Sequence, residues 1–124
     1  MSKIKRWIPA FCIMLAIFVA SSTPSIDLPV FGVWDIVVKK GGHMTGYALL
    51  GIAFYYGLGF EQKRGWVLAW LLALIYAFSD EFHQSFTPGR HPSMEDIFLF
   101  DGIGAAIGVG LLSLRYKLFR KIGI

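Results

Sequence analysis

Apolar and polar positions alternate along this chain in long blocks rather than with the short period of an amphipathic surface helix. An apolar run covers Trp7–Ala20, a second covers about His43–Phe60, a third Trp66–Phe86 and a fourth Ser93–Leu114. The breaks between them carry the turn chemistry: Pro24, Pro29 and Gly32 after the first, Glu61–Arg64 after the second, and Pro88-Gly89 after the third. The pattern predicts an all-α, integral membrane four-helix bundle built as a single domain, with helices at about 7–23, 43–60, 66–86 and 93–114. Pro9 falls in a first turn, where its missing N–H costs little. Ser93-Met94-Glu95-Asp96, with Pro92 just before it, reads as a capping box opening the fourth helix. Gly104 and Gly108 form a GxxxG pair, which predicts one tightly packed helix face.

Composition strengthens the membrane reading. The 124 residues are 56% hydrophobic and 16% charged, too apolar for a soluble domain of this size. The first segment has a basic start, a short apolar core and Ala20-Ser21-Ser22, which loosely fits a signal peptide. Ser21, Ser22 and Thr23 can instead carry the helix to Pro24, and a retained helix is the favoured reading. The formal net charge of +4 is distributed as a membrane protein distributes it, and nucleic-acid binding is not expected. Nine of the 12 Lys and Arg fall near the N-terminus, the Glu61–Arg64 turn or the C-terminus, whereas seven of the eight acids fall on the opposite side. The positive-inside rule then predicts both termini in the cytoplasm and the segment Ser79–Asp101 on the extracytoplasmic side of a bacterial plasma membrane. The lone Cys12 excludes an internal disulfide and a Cys-based zinc cluster, and is read as a buried, inert thiol.

The candidate chemistry lies at one depth. With about 1.5 Å of rise per residue, Asp80 and Asp101 each stand roughly 21 Å from the basic ends of their helices. Tyr47 and Ser21 reach nearly the same level. Carboxylates facing lipid would cost about 2.5–3.5 kcal/mol each near the bilayer centre and less toward the interface, so they are expected to turn inward around a water-accessible cleft. His43 and Tyr47 share a helix face, as do Asp80 and Gln84. Asp96 and Asp101 differ by five positions, about 140° on an α-helix, and need not face one cavity. Arg90 is the expected counter-ion of the acidic group. His83 and His91 are expected to face solvent or headgroups, and the aromatic runs Phe54-Tyr55-Tyr56 and Trp66…Trp70 to be lipid contacts.

Read in order, Lys40-Gly41-Gly42-His43-Met44-Thr45-Gly46-Tyr47, Asp80-Glu81-Phe82-His83-Gln84, Pro88-Gly89-Arg90, Ser93 with Asp96, and Gly104 with Gly108 resemble the VanZ-like family of small bacterial membrane proteins. The resemblance spans about residues 35–112. One departure stands out: the family commonly places Asn or Asp four positions after the residue matching Asp96, whereas Phe100 stands there and Asp101 follows. The resemblance implies an envelope role linked to resistance to the lipoglycopeptide teicoplanin, without an established reaction.

Three functions are therefore weighed. The cleft binds or shields an envelope lipid or glycolipid headgroup, with Lys40, Tyr47, Gln84, Arg90, Ser93, Asp96 and Asp101 as binding residues and Lys40 and Arg90 suiting an anionic group. Alternatively it is a small membrane enzyme, with Asp80 or Glu81 as acid or base, His43 as partner and Arg90 stabilising developing charge. A divalent ion bridged by Asp80, Glu81 and Asp96 would belong to that scheme, though no residue spacing assigns a metal or cofactor. Lastly it is a carrier or regulatory subunit, for which four short helices require a homo- or hetero-oligomer.

Overall fold

The computed structural model describes residues 2–91 and 93–123. Pro92, expected just ahead of the fourth helix, lies outside the described residues. A 3-10 turn at Ile4–Trp7 runs into helix α1 (Ile8–Ser22), with proline accommodated in its first turn. Two further 3-10 turns, Ser25–Asp27 and Gly32–Trp34, lead into α2 (Asp35–Leu58). Helices α3 (Gly65–Gln84) and α4 (Met94–Lys121) complete the bundle, and no strand occurs among the described residues.

Helix α2 begins at Asp35, ahead of the expected start near His43, because Gly41 and Gly42 stay helical rather than breaking the chain. A Lys39–Asp35 ion pair at i, i+4 (2.9 Å) supports that added turn. The helix stops at Gly59, whose φ of 94° disfavours a side chain and whose N–H caps the Tyr55 carbonyl at 3.1 Å. Helix α4 likewise runs past the expected end at Leu114 to Lys121.

Three helices, at Ile4–Ser22, Gly65–Gln84 and Met94–Lys121, are long and apolar enough to cross a membrane. At 24 residues, or about 36 Å, α2 is long enough too, but it carries Asp35, Lys39 and Lys40 at its head. It can be less apolar because it is the central helix, packed against the other three. Leu50, Ala53, Phe54 and Tyr55 of α2 form the core with Ala69, Ala73 and Ala77 of α3 and Ala105 and Val109 of α4. Phe54 and Tyr55 are therefore core residues rather than the expected lipid contacts. Tyr56, on the remaining face of the same turn, is half-buried.

Small residues set the closest approach. A Cβ on Gly104 would fall 2.9 Å from Met44 Cα, and one on Gly108 would fall 2.9 Å from Ala48 Cα, so α2 and α4 touch backbone to backbone. The opposite faces remain apolar and uncovered: Phe11, Leu15 and Phe18 on α1, Leu71 and Ile75 on α3, and Ile107, Leu111 and Leu114 on α4. Such outward-facing apolar surface is what a lipid environment requires. Cys12 sits on that outer face of α1, exposed rather than buried as expected. Helix α1 turns little more than Ala10 and Ser21 fully inward, and position 12 points away from both.

Candidate functional site

Polar side chains gather at the end of the bundle that carries the α3–α4 turn, in two groups. The first centres on Asp80 of α3. One carboxylate oxygen accepts from Ser21 Oγ of α1, and the other accepts from Tyr47 Oη of α2 at 3.0 Å and from Gln84 Nε2 at 3.2 Å. Gln84 Nε2 also donates to Ser21 Oγ at 3.2 Å. All four residues are buried. Every donor is neutral, yet together they surround the carboxylate and tie three helices at one level, the level that helix rise predicts.

The α3–α4 turn completes this clip. Thr87 Oγ1 donates to the Ser21 carbonyl at 2.9 Å, and Arg90 donates to the Thr23 carbonyl at 3.1 Å and the Ala20 carbonyl at 2.7 Å. Arg90 is thus the cap of α1 and not the expected counter-ion of the acids. The last carbonyls of α1 have no partner within their own helix and carry partial negative charge, and the guanidinium satisfies both needs. Lower down, Tyr76 Oη donates to the Met14 carbonyl at 2.6 Å, a second tie between α3 and α1.

The second group faces α4 and lines a cavity of about 240 Å³ with Lys40, His43, Glu81, Gln84, Asp96, Phe100 and Asp101 on its walls. Glu81 Oε2 accepts the Ser93 backbone N–H at 2.9 Å. Lys40 Nζ pairs with Asp96 at 2.5 Å and lies 4.9 Å from the Phe100 ring centre. His43 Nδ1 is 3.0 Å from Asp101 Oδ1. Asp101 is buried, and its Oδ2 has no hydrogen-bond partner in the protein.

A local irregularity brings Asp96 and Asp101 to the same wall. Residues Ile97–Gly102 of α4 wind as a π-helix. Its i→i+5 bonding stacks a residue over the one five positions earlier, so the 140° separation of a regular α-helix does not apply. The turn absorbs one residue, so that Asp101 joins Asp96 on the wall of the cavity. Trp70 Nε1 donates to the Gly102 carbonyl at 3.0 Å, at the end of the irregular turn. The half-buried indole thereby has a structural partner that was not expected from sequence.

The capping box does not form. Ser93 makes no side-chain cap, its N–H goes to Glu81, and Asp96, which would have reached back, pairs with Lys40. His83 stacks on Phe18 with ring centres 4.4 Å apart and approaches Ser22 Oγ at 3.3 Å, while His91 is exposed. Among the described residues no group of three or more His, Cys, Asp or Glu is disposed to hold a metal ion. Asp80, Glu81 and Asp96, the bridging set weighed from sequence, point to three different partners.

A second cavity of about 250 Å³ adjoins the first and has an apolar character. Ile17 and Ala20 of α1, Leu28, Pro29 and Phe31 of the connector, and Gly46 and Tyr47 of α2 line it. Leu28, Lys39, His43 and Arg90 belong to both cavities and form the seam between them. Sequence reasoning missed Thr87, Trp70 and Phe100. Nothing in residue spacing marks a threonine or an indole as the partner of a distant carbonyl.

Fold and site together describe a small helical membrane protein with a polar constellation set inside one end of its bundle. The family model described as VanZ/LLP1 matches residues 5–117 of the 124-residue chain, and the chain belongs to that family. No curated protein and no solved structure matches it.

Proposed function

We propose that the paired cavities bind one molecule of an envelope lipid or glycolipid, the headgroup in the polar chamber and a hydrocarbon chain in the apolar one. The observation that carries this reading is the seam: a polar chamber and an apolar chamber of similar size share Lys39, His43 and Arg90. Adjoining chambers, one charged and one apolar, match an amphiphile better than they match a water-soluble metabolite. The charge distribution along the chain supports placing both termini in the cytoplasm and the chambers at the outer face of the bacterial plasma membrane. The link to teicoplanin that the resemblance implies becomes, on this reading, the shielding of an envelope lipid from the drug.

The enzyme reading keeps one observation in its favour. Asp101 engages Nδ1 of His43, which would leave Nε2 as a base toward the cavity. Binding is the favoured reading because a bound amphiphile accounts for both chambers, whereas acid/base chemistry would use only the polar one.

Lipid extracted from purified protein and identified by mass spectrometry tests the proposal. Gly46 lines the apolar chamber, and a Cβ there would find its nearest neighbour, Ile17 Cγ1, at 4.0 Å. Gly46→Leu should therefore fill the chamber and strip the bound lipid while leaving the bundle folded. A variant that retains the same lipid in the same amount contradicts the proposal.

A further inference from the structure

The two chambers and their seam differ in charge as well as polarity, and the difference orders the parts of a ligand. At the seam, Arg90 donates only to backbone carbonyls and forms no ion pair among the described residues. A guanidinium has five N–H groups, so donors remain after those two bonds. Lys39, also at the seam, has one acceptor in Asp35 and retains further donors. The inner wall of the polar chamber has the opposite sign. Lys40 is matched by Asp96, but Glu81 has only a backbone N–H as partner, and the buried Asp101 has an oxygen with none. Asp101 is wholly enclosed and adds negative charge behind the wall, whereas Glu81 keeps an oxygen without a protein partner at the cavity, and that oxygen marks where a ligand's donor belongs.

We infer that the ligand is a phospholipid whose phosphate sits at the Lys39–Arg90 seam and whose terminal primary amine reaches Glu81 across the polar chamber. The inference rests on the lipid-binding reading above and names the class of lipid. A phosphate supplies acceptors for the free donors at the seam, and an ammonium supplies both charge and up to three donors to the carboxylate wall. A hydroxyl headgroup would bring donors without the compensating charge. A quaternary ammonium would bring charge without a donor, leaving the second oxygen of Glu81 unpartnered.

The test is competition among phosphatidylethanolamine, phosphatidylglycerol and phosphatidylcholine with identical chains, read by native mass spectrometry of the full-length protein in detergent. Phosphatidylethanolamine should be retained about tenfold over each of the other two, the difference expected of one charge-assisted hydrogen bond. Glu81→Gln keeps an amide oxygen to accept the Ser93 N–H, so the protein should melt as the wild type does while the preference collapses. Equal retention of the three lipids, or a preference that survives in folded Glu81→Gln, overturns the amine assignment. If retention shows no preference yet falls for all three lipids in Gly46→Leu, the lipid-binding reading stands and only the amine assignment fails. Retention that is indifferent to both substitutions overturns both.

Discussion

Asp80 and Glu81 are neighbours in sequence, sit on the same helix at the same depth, and carry the same functional group, yet they occupy opposite kinds of surroundings. Asp80 turns toward α1 and α2, where Ser21, Tyr47 and Gln84 donate to both of its oxygens. Glu81, one step round the helix, turns toward α4 and lines a cavity with a single backbone donor on one oxygen. The cost of a carboxylate inside a membrane boundary is met within the fold in the first case and left partly unmet in the second. A polar group whose partners are all internal holds helices together; one that lacks partners beside a cavity is available to a ligand.

Substitutions that break the frame on which both groups hang should have the largest effect. Gly108→Val would drive a side chain into the Ala48 backbone, and a destabilisation of about 3 kcal/mol or more is expected, seen as loss of the monodisperse protein or a collapsed melting temperature. Asp80→Ala should come next. It strands the Ser21, Tyr47 and Gln84 donors in a buried site, at a cost of about 2–4 kcal/mol measurable by reversible unfolding in mixed micelles. Trp70→Phe removes the donor to the Gly102 carbonyl and should cost about 1 kcal/mol. Because that bond braces the end of the π turn, the variant should also weaken lipid retention by the second group without touching the first.

The smallest effect belongs to the head of α2. The hydrogen bond from Lys39 holds the half-buried Asp35 carboxyl below its ordinary range. A depressed carboxylate contributes stability above its unfolded value and loses it as pH falls through the folded one. Asp35→Asn should therefore remove only a slight acid-side component from the melting profile, and added salt should diminish it further. A large effect would mean that this pair belongs with the buried groups.

Much of the first group was legible in the sequence, and less of the second. Counting helix rise puts Ser21, Tyr47, Asp80 and Asp101 at one level, because apolar length alone fixes depth in a bundle of straight helices. The clip's partners from the α3–α4 turn were not legible: Arg90 among acids reads as an ion-pair partner, and only the folded chain shows that α1 ends beside it with bare carbonyls. The π turn at Ile97–Gly102 was hidden for a related reason. A one-residue excess within a helix changes no composition or periodicity that a short window can detect, yet it decides which wall Asp101 faces. Asp35–Gly42 reads as a connector from its glycines and charges, but the same charges hold it helical, through the Lys39–Asp35 pair along the helix and the Lys40–Asp96 pair to α4.

The most direct measurement is a matched pair of variants, Asp80→Asn and Glu81→Gln, each followed by melting temperature and by retained lipid on the same preparation. Asparagine at position 80 replaces one of two acceptor oxygens with an N–H, and donors face both, so the melting temperature should fall, as a loss of about 1–3 kcal/mol would lower it. Glutamine at position 81 should leave the melting temperature where it was and reduce the retained lipid. A pair in which both variants lose stability alike, or in which Glu81→Gln keeps its lipid, would contradict the division between the two carboxylates.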